Sequence, residues 1–290
     1  MPRIDAHQHF WRRARGDYAW LREDVATLRP LLRDYQPADL QPLLAAGGVS
    51  RTVLVQAADT VAETQYLLDI ATQHAIVGGV VGWVDLGRAD AAGTLEQLAR
   101  HPKFKGVRPM LQDLADVDWI ASAPRADAVH ALVRHGLRFD ALVKTAHLPS
   151  LLHFVQAWPA LPVVIDHAAK PDLVAGWGAS WTPPWRRDMS ALAAHPQVCC
   201  KWSGLVTELP ASACGTLKTL VGALRPVWDT LLESFGPRRL LWGSDWPVLT
   251  LATTYDTWLE ASATLVGELS ADEQASVWAG AARGFYGLGD

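Results

Sequence analysis

The feature that most constrains this chain is an alternation of short apolar runs with helical-period segments, repeated eight times. Apolar runs begin at Ile4, Thr52, Ile76, Lys105, Leu137, Val163, Val198 and Leu240. Between them, apolar residues recur at helical spacing over 37–49, 62–74, 90–100, 123–135, 148–158, 185–195 and 215–235. The last of these reads as broken at Pro226, and two further helices finish the chain. Short strands that are apolar throughout belong in a parallel sheet covered on both faces. Eight such units in 290 residues fit one closed (β/α)8 TIM barrel, with residues 1–290 as a single domain. The alternative is a doubly wound open sheet, but no GxGxxG or phosphate loop follows the first strand.

A barrel of this kind collects its reacting side chains at the C-terminal ends of the strands. The first strand, RIDAHQHF over 3–10, alternates so that Asp5, His7 and His9 share one face and Ile4 and Ala6 the other. Two imidazoles on one face can serve one metal ion or one oxyanion, though a solvated strand end would look the same. Further polar residues fall at the same end of later strands: Gln56, Arg108, Asp140, His167, Lys201 and Asp245. Each alone could be an exposed end, a turn residue or a cap. Their coincidence at one end of successive strands points to a shared site. His74, His101, His130, His135, His147, His153 and His195 fall on helices or at their ends and are set aside. Residues 11–33, Arg-rich and aperiodic, suit a loop covering the site. Of fourteen tryptophans, Trp11, Trp202 and Trp246 lie beside polar candidates and are expected to offer a face to a substrate ring.

Composition narrows the partners. A net charge of −4 with scattered Lys and Arg gives no basic stripe, which argues against nucleic acid and for a small-molecule substrate. Cys199, Cys200 and Cys214 are odd in number and lack CxxC spacing, so neither a disulfide framework nor a cysteine zinc site is expected. That usage fits a reducing cytoplasm. No run approaches the ~20 apolar residues of a membrane span and no leader pattern precedes His7, so a soluble, unprocessed protein is expected. A homo-oligomer is left open.

At the strand ends the chain resembles the amidohydrolase superfamily. The segments RIDAHQHFW, FKGVRPMLQD, VVIDHAAKP, CKWSGLVTE and LLWGSDWPV are similar to the branch of lactonases that includes L-fuconolactonase, L-rhamnonolactonase and pyrone dicarboxylate lactonase. The resemblance implies a site of His7, His9, His167 and Asp245. Two-metal members carry a carbamylated lysine or a carboxylate on the fourth strand and a histidine on the fifth, where this chain has Arg108 and Asp140. It therefore implies one divalent cation, zinc, at most, held by His7, His9, His167 and Asp245, or none. The implied activity is hydrolysis of a sugar-acid lactone, L-fuconolactone or a related aldonolactone, to the aldonate. Asp245 would activate water, His7, His9 and His167 with Arg108 or Lys201 would hold the oxyanion, and Gln56, Asp140 and the tryptophans would bind the sugar. The alternatives are a metal-dependent decarboxylase of the same superfamily and a non-catalytic sugar-binding protein.

Overall fold

A computed structural model describes residues 2–289. Eight strands form one sheet in sequence order: β1 (Arg3–Gln8), β2 (Val49–Val55), β3 (Val77–Gly82), β4 (Phe104–Val107), β5 (Arg138–Ala141), β6 (Val163–Ile165), β7 (Val198–Trp202) and β8 (Leu240–Trp242). All seven ladders are parallel. The sheet closes where β8 meets β1. Gln8 bridges Trp246, Asp245 N donates to His7 O at 2.8 Å, and His9 N donates to Trp246 O at 2.8 Å. The ring is a (β/α)8 barrel, as the alternation requires.

Helices cover the outside: α1 (Pro37–Gly47), α2 (Val61–Gln73), α3 (Ala91–Leu98), α4 (Trp119–Ser122), α5 (Ala126–Arg134), α6 (Leu148–Ala157), α7 (Thr182–Ala193), α8 (Leu217–Phe235), α9 (Tyr255–Val266), α10 (Ala271–Ala275) and α11 (Ala281–Tyr286). The expected break at Pro226 does not occur, and α8 runs through it. Proline removes the N–H that would bond the carbonyl of Gly222, and Gly222 lies on the exposed side of the helix where solvent can reach it. None of the described helices is long and apolar enough to cross a membrane.

Two apolar layers result. The larger fills the space between strands and helices. The smaller joins Ile4, Ala6, Val53, Val55, Val164 and Leu241 to the C-terminal segment from Ala279 to Leu288. Ile4 and Ala6 thus face the barrel axis, and so does His7, which packs on His167 of the far wall. Strict alternation forbids this, and a β-bulge permits it. Between Asp5 and Gln8 three steps of β1 oppose two of β2, from Thr52 to Leu54. The expectation that Asp5 shares a face with His7 and His9 is corrected accordingly. Asp5 instead accepts from His7 N at 3.2 Å, Ser244 N at 2.8 Å and Tyr255 Oη at 3.2 Å, tying the β1–β8 seam to α9. Its carboxyl is pushed up to about 6, because burial outweighs those hydrogen bonds.

Candidate active site

Three chain segments supply the groups at the barrel mouth. The bulge turns His7 inward, and His9 follows two residues later. Beyond β6 the chain enters the left-handed region at His167. Gly204, two residues beyond β7, makes room for that imidazole, since a Cβ there would lie 2.2 Å from His167 Nδ1. Beyond β8, Asp245 also has positive φ, a conformation that aspartate tolerates better than most side chains. The backbone bonds to β1 that close the barrel hold it there.

These turns bring three imidazoles around one carboxylate oxygen. Asp245 Oδ1 lies 3.3 Å from His9 Nε2, 3.7 Å from His7 Nε2 and 3.8 Å from His167 Nε2. The two first-strand Nε2 atoms are 3.2 Å apart. His9 Nδ1 sits 2.8 Å from Val55 O, which orients the ring and keeps its Nε2 toward Asp245. His167 Nδ1 is 2.9 Å from Ser203 Oγ. Burial opposes ionisation of Asp245, yet His167, the His9 hydrogen bond and His7 together hold its carboxyl well below the usual range. Burial lowers all three imidazoles, His167 to about 4, with Asp245 offsetting part of the effect at His9 and His167.

A cavity of about 200 Å³ opens onto His9, His167, Asp245 and Arg108. Trp20 and Leu28, from the segment expected to cover the site, line it, with Met110, Leu142, Val248 and Leu251 as further apolar wall. Trp20 Nε1 donates to Ala57 O at 2.7 Å, anchoring that segment to the β2 end. Arg108 Nη2 donates to Gln56 O, Gln56 Nε2 donates back to Arg108 O at 2.7 Å, and Arg108 Nη1 lies 3.4 Å from His7 Nε2. Glu63 supports the same loop by accepting from the amides of Ala57 and Ala58.

Beneath His7 lies a second charged group with no exposure. Lys201 Nζ is 2.5 Å from Asp140 Oδ2, 2.9 Å from Asp166 Oδ1 and 2.9 Å from His7 Nδ1. Tyr286 Oη, on α11, donates to Asp140 Oδ2 at 2.7 Å. The two carboxylates share one ammonium and divide unequally. Burial raises both, but Lys201 and His7 hold Asp166 well below the ordinary range, whereas burial prevails at Asp140 and pushes it up to about 6. Asp166, 3.5 Å from His7 Nδ1 and 3.7 Å from Arg108 Nη1, was not among the sequence candidates. Period-two alternation from Val164 was the signal that could have found it.

Six of the residues expected to bind substrate do not line this cavity. Lys201, Asp140 and Gln56 have no exposed surface and do not line the cavity, because their partners lie within the barrel wall. Trp202 is buried against Trp228 and Trp258, and Trp11 against Tyr35 with its Nε1 donating to Arg33 O. Trp246 packs on Phe10 and Tyr35. All three are corrected to core aromatics, and Trp20 takes the expected place at the cavity.

His7, His9 and Asp245, and likewise His7, Asp166 and His167, bring three donor atoms within 4.8 Å, a donor set that fits a divalent metal. The amidohydrolase family model matches residues 4–288, and the chain belongs to that family. Within it, the chain is 47% identical over 288 residues to an L-fucono-1,5-lactonase from Burkholderia ambifaria, covering 98% of this chain and 95% of that protein. It is 38% identical over 296 residues to an L-fucono-1,5-lactonase from Burkholderia multivorans, covering 99% and 96%. A crystal structure of a Burkholderia multivorans amidohydrolase with bound zinc superposes over the full length of both chains with a TM-score of 0.89 at 37% identity.

Proposed function

We propose that the protein hydrolyses a sugar-acid lactone, L-fucono-1,5-lactone or a closely related aldonolactone, to the open aldonate. The observation that carries this reading is the ionised Asp245 oxygen on the cavity floor, ringed by three imidazole nitrogens. Near-full-length identity to two proteins named for this reaction supports it. Asp245 takes a proton from water as the water oxygen bonds to the lactone carbonyl carbon. Negative charge then grows on the carbonyl oxygen, where Arg108 and the imidazoles stabilise it. The ring C–O bond breaks, and the proton returns from Asp245 to the departing alkoxide. Water supplies O–H to carbon and H to the leaving oxygen, so the balance closes without a redox partner.

His7, His9 and Asp245 would hold a single zinc ion, with His167, whose Nε2 lies 3.8 Å from the same carboxylate oxygen, as a fourth donor. Bound there, zinc supplies Lewis-acid polarisation of the carbonyl and a more acidic water. The cytoplasm and a small-molecule partner remain the expected setting. A panel of aldonolactones followed by acid release, before and after chelation and zinc repletion, tests the reading. L-Fucono-1,5-lactone is expected to turn over, with activity falling on chelation and returning with zinc. Full activity after exhaustive chelation would assign the oxyanion to Arg108 and the imidazoles alone. No lactone turnover, with carbon dioxide released from an aromatic carboxylate, would replace the reading with the decarboxylase.

A further inference from the structure

His167, Ala168, Ala169 and Lys170 all have positive φ, at 54, 50, 60 and 46°, and none is glycine. Single L-residues there are strained, and four in succession make a left-handed turn that persists only if its surroundings hold it. They do so here. Ala168 and Ala169 are fully buried, Trp185 Nε1 donates to Ala168 O at 2.8 Å, and Lys170 N closes the turn on His167 O at 2.8 Å.

The turn has a geometric result that a continued strand could not produce. Side chains along a strand alternate, so positions 167 and 170 would face opposite ways. Here both line the same cavity while the two alanines pack behind them. The Lys170 ammonium stands 3.8 Å from Glu208 Oε1, and its side chain keeps 21% of its exposure. An ammonium carries three N–H donors, and one toward Glu208 leaves two for the cavity. Asp113 also lines the cavity. Glu208 beside Lys170 offsets its charge, so the ammonium acts here as a hydrogen-bond donor suited to a hydroxyl-rich ligand.

We propose that Lys170 is a substrate-binding, specificity-determining residue that donates hydrogen bonds to ring hydroxyls of a polyhydroxylated lactone. The assignment rests on the lactonase reading and adds to it the group that separates a sugar lactone from a plain one. The test compares the wild type with Lys170→Met and Lys170→Arg on L-fucono-1,5-lactone and on δ-valerolactone, the same ring without hydroxyls. Lys170→Met should raise KM for the sugar lactone about ten- to a hundredfold with kcat little changed. Its kcat/KM on δ-valerolactone should stay within about twofold of wild type, and Lys170→Arg should recover part of the loss. Equal losses on both lactones would reduce Lys170 to a support for the turn, and no loss on either would remove it from binding. Calorimetric titration with L-fuconate, the hydrolysis product, keeps the two readings apart. If the wild type opens neither lactone, the activity falls, yet tenfold weaker L-fuconate binding by Lys170→Met would still uphold the residue. Affinity indifferent to the substitution, or absent from both proteins, would overturn it.

Discussion

Two tiers of buried charge stand one above the other in this barrel, and they differ in what they face. The upper tier, Asp245 with His9 and His167, looks into a cavity. The lower tier, Lys201 with Asp140, Asp166 and Tyr286, does not reach the cavity and faces itself, the underside of His7 and, through Asp166, Arg108. Both contain carboxylates held far from ordinary values by burial and neighbours. Perturbation by itself therefore does not distinguish a reacting group from a structural one; access does. His7 belongs to both tiers, with Nε2 toward Asp245 and Nδ1 toward Lys201. The lower tier orients the ring that the upper tier uses.

The largest expected effect breaks the upper tier without touching the lower. Asp245→Asn keeps shape and most hydrogen bonding but cannot accept a proton. Lactone turnover should fall on the order of a hundred- to ten-thousandfold while the variant stays folded and binds substrate. Near wild-type turnover by a folded variant would remove Asp245 from the chemistry and erase the distinction between tiers. Lys201→Met breaks the lower tier instead, leaving two buried carboxylates without their ammonium. Losing one member of such a group should cost about 3–5 kcal/mol in urea unfolding. A loss below about 1 kcal/mol would mean that the lower tier is not held together by this cation.

The two tiers were also unequally legible in the sequence. All eight strands could be read because each is a short apolar run flanked by helical periodicity, and the polar residues at their ends followed from barrel geometry. What local pattern could not carry was direction. The bulge in β1 sends Asp5 to the seam and His7 to the axis although their spacing says they share a face. The left-handed turn after β6 likewise sends His167 inward, where continued alternation would have chosen Asp166 alone. Lys201 and Asp140 sit at strand ends like the others, and only the packed barrel shows that each is sealed by the other. Tryptophan beside a polar residue reads the same in a core as at a cavity, which is why Trp202 was expected at the sugar and is found against Trp228.

The smallest expected effect is the most diagnostic of the lower tier. Tyr286 is the only phenol on Asp140 among the described hydrogen bonds, and Tyr286→Phe removes its hydroxyl while keeping the ring that fills the barrel floor. Because Asp140 titrates near 6 in the folded chain and an unperturbed aspartate near 3.8, folding tightens the hold on this proton. Stability from this group is therefore greatest at low pH and declines as pH rises from about 4 through about 6, levelling above that. The Tyr286 hydrogen bond opposes the decline, since it favours the charged carboxylate. Its loss should accordingly cost more at high pH than at low. A bond to a neutral carboxyl is worth about 0.5–1.5 kcal/mol and one to a charged carboxylate about 1.5–3 kcal/mol. Urea unfolding of both proteins at pH 5 and pH 8 should show the difference between them widening with pH. The kcat for lactone should stay within about twofold of wild type, because no atom of Tyr286 reaches the cavity. A stability difference that is flat with pH would show that Asp140 does not change charge in this range. A tenfold fall in kcat at full folding would show that the lower tier reaches the chemistry through His7, and the separation of the two tiers would have to be redrawn.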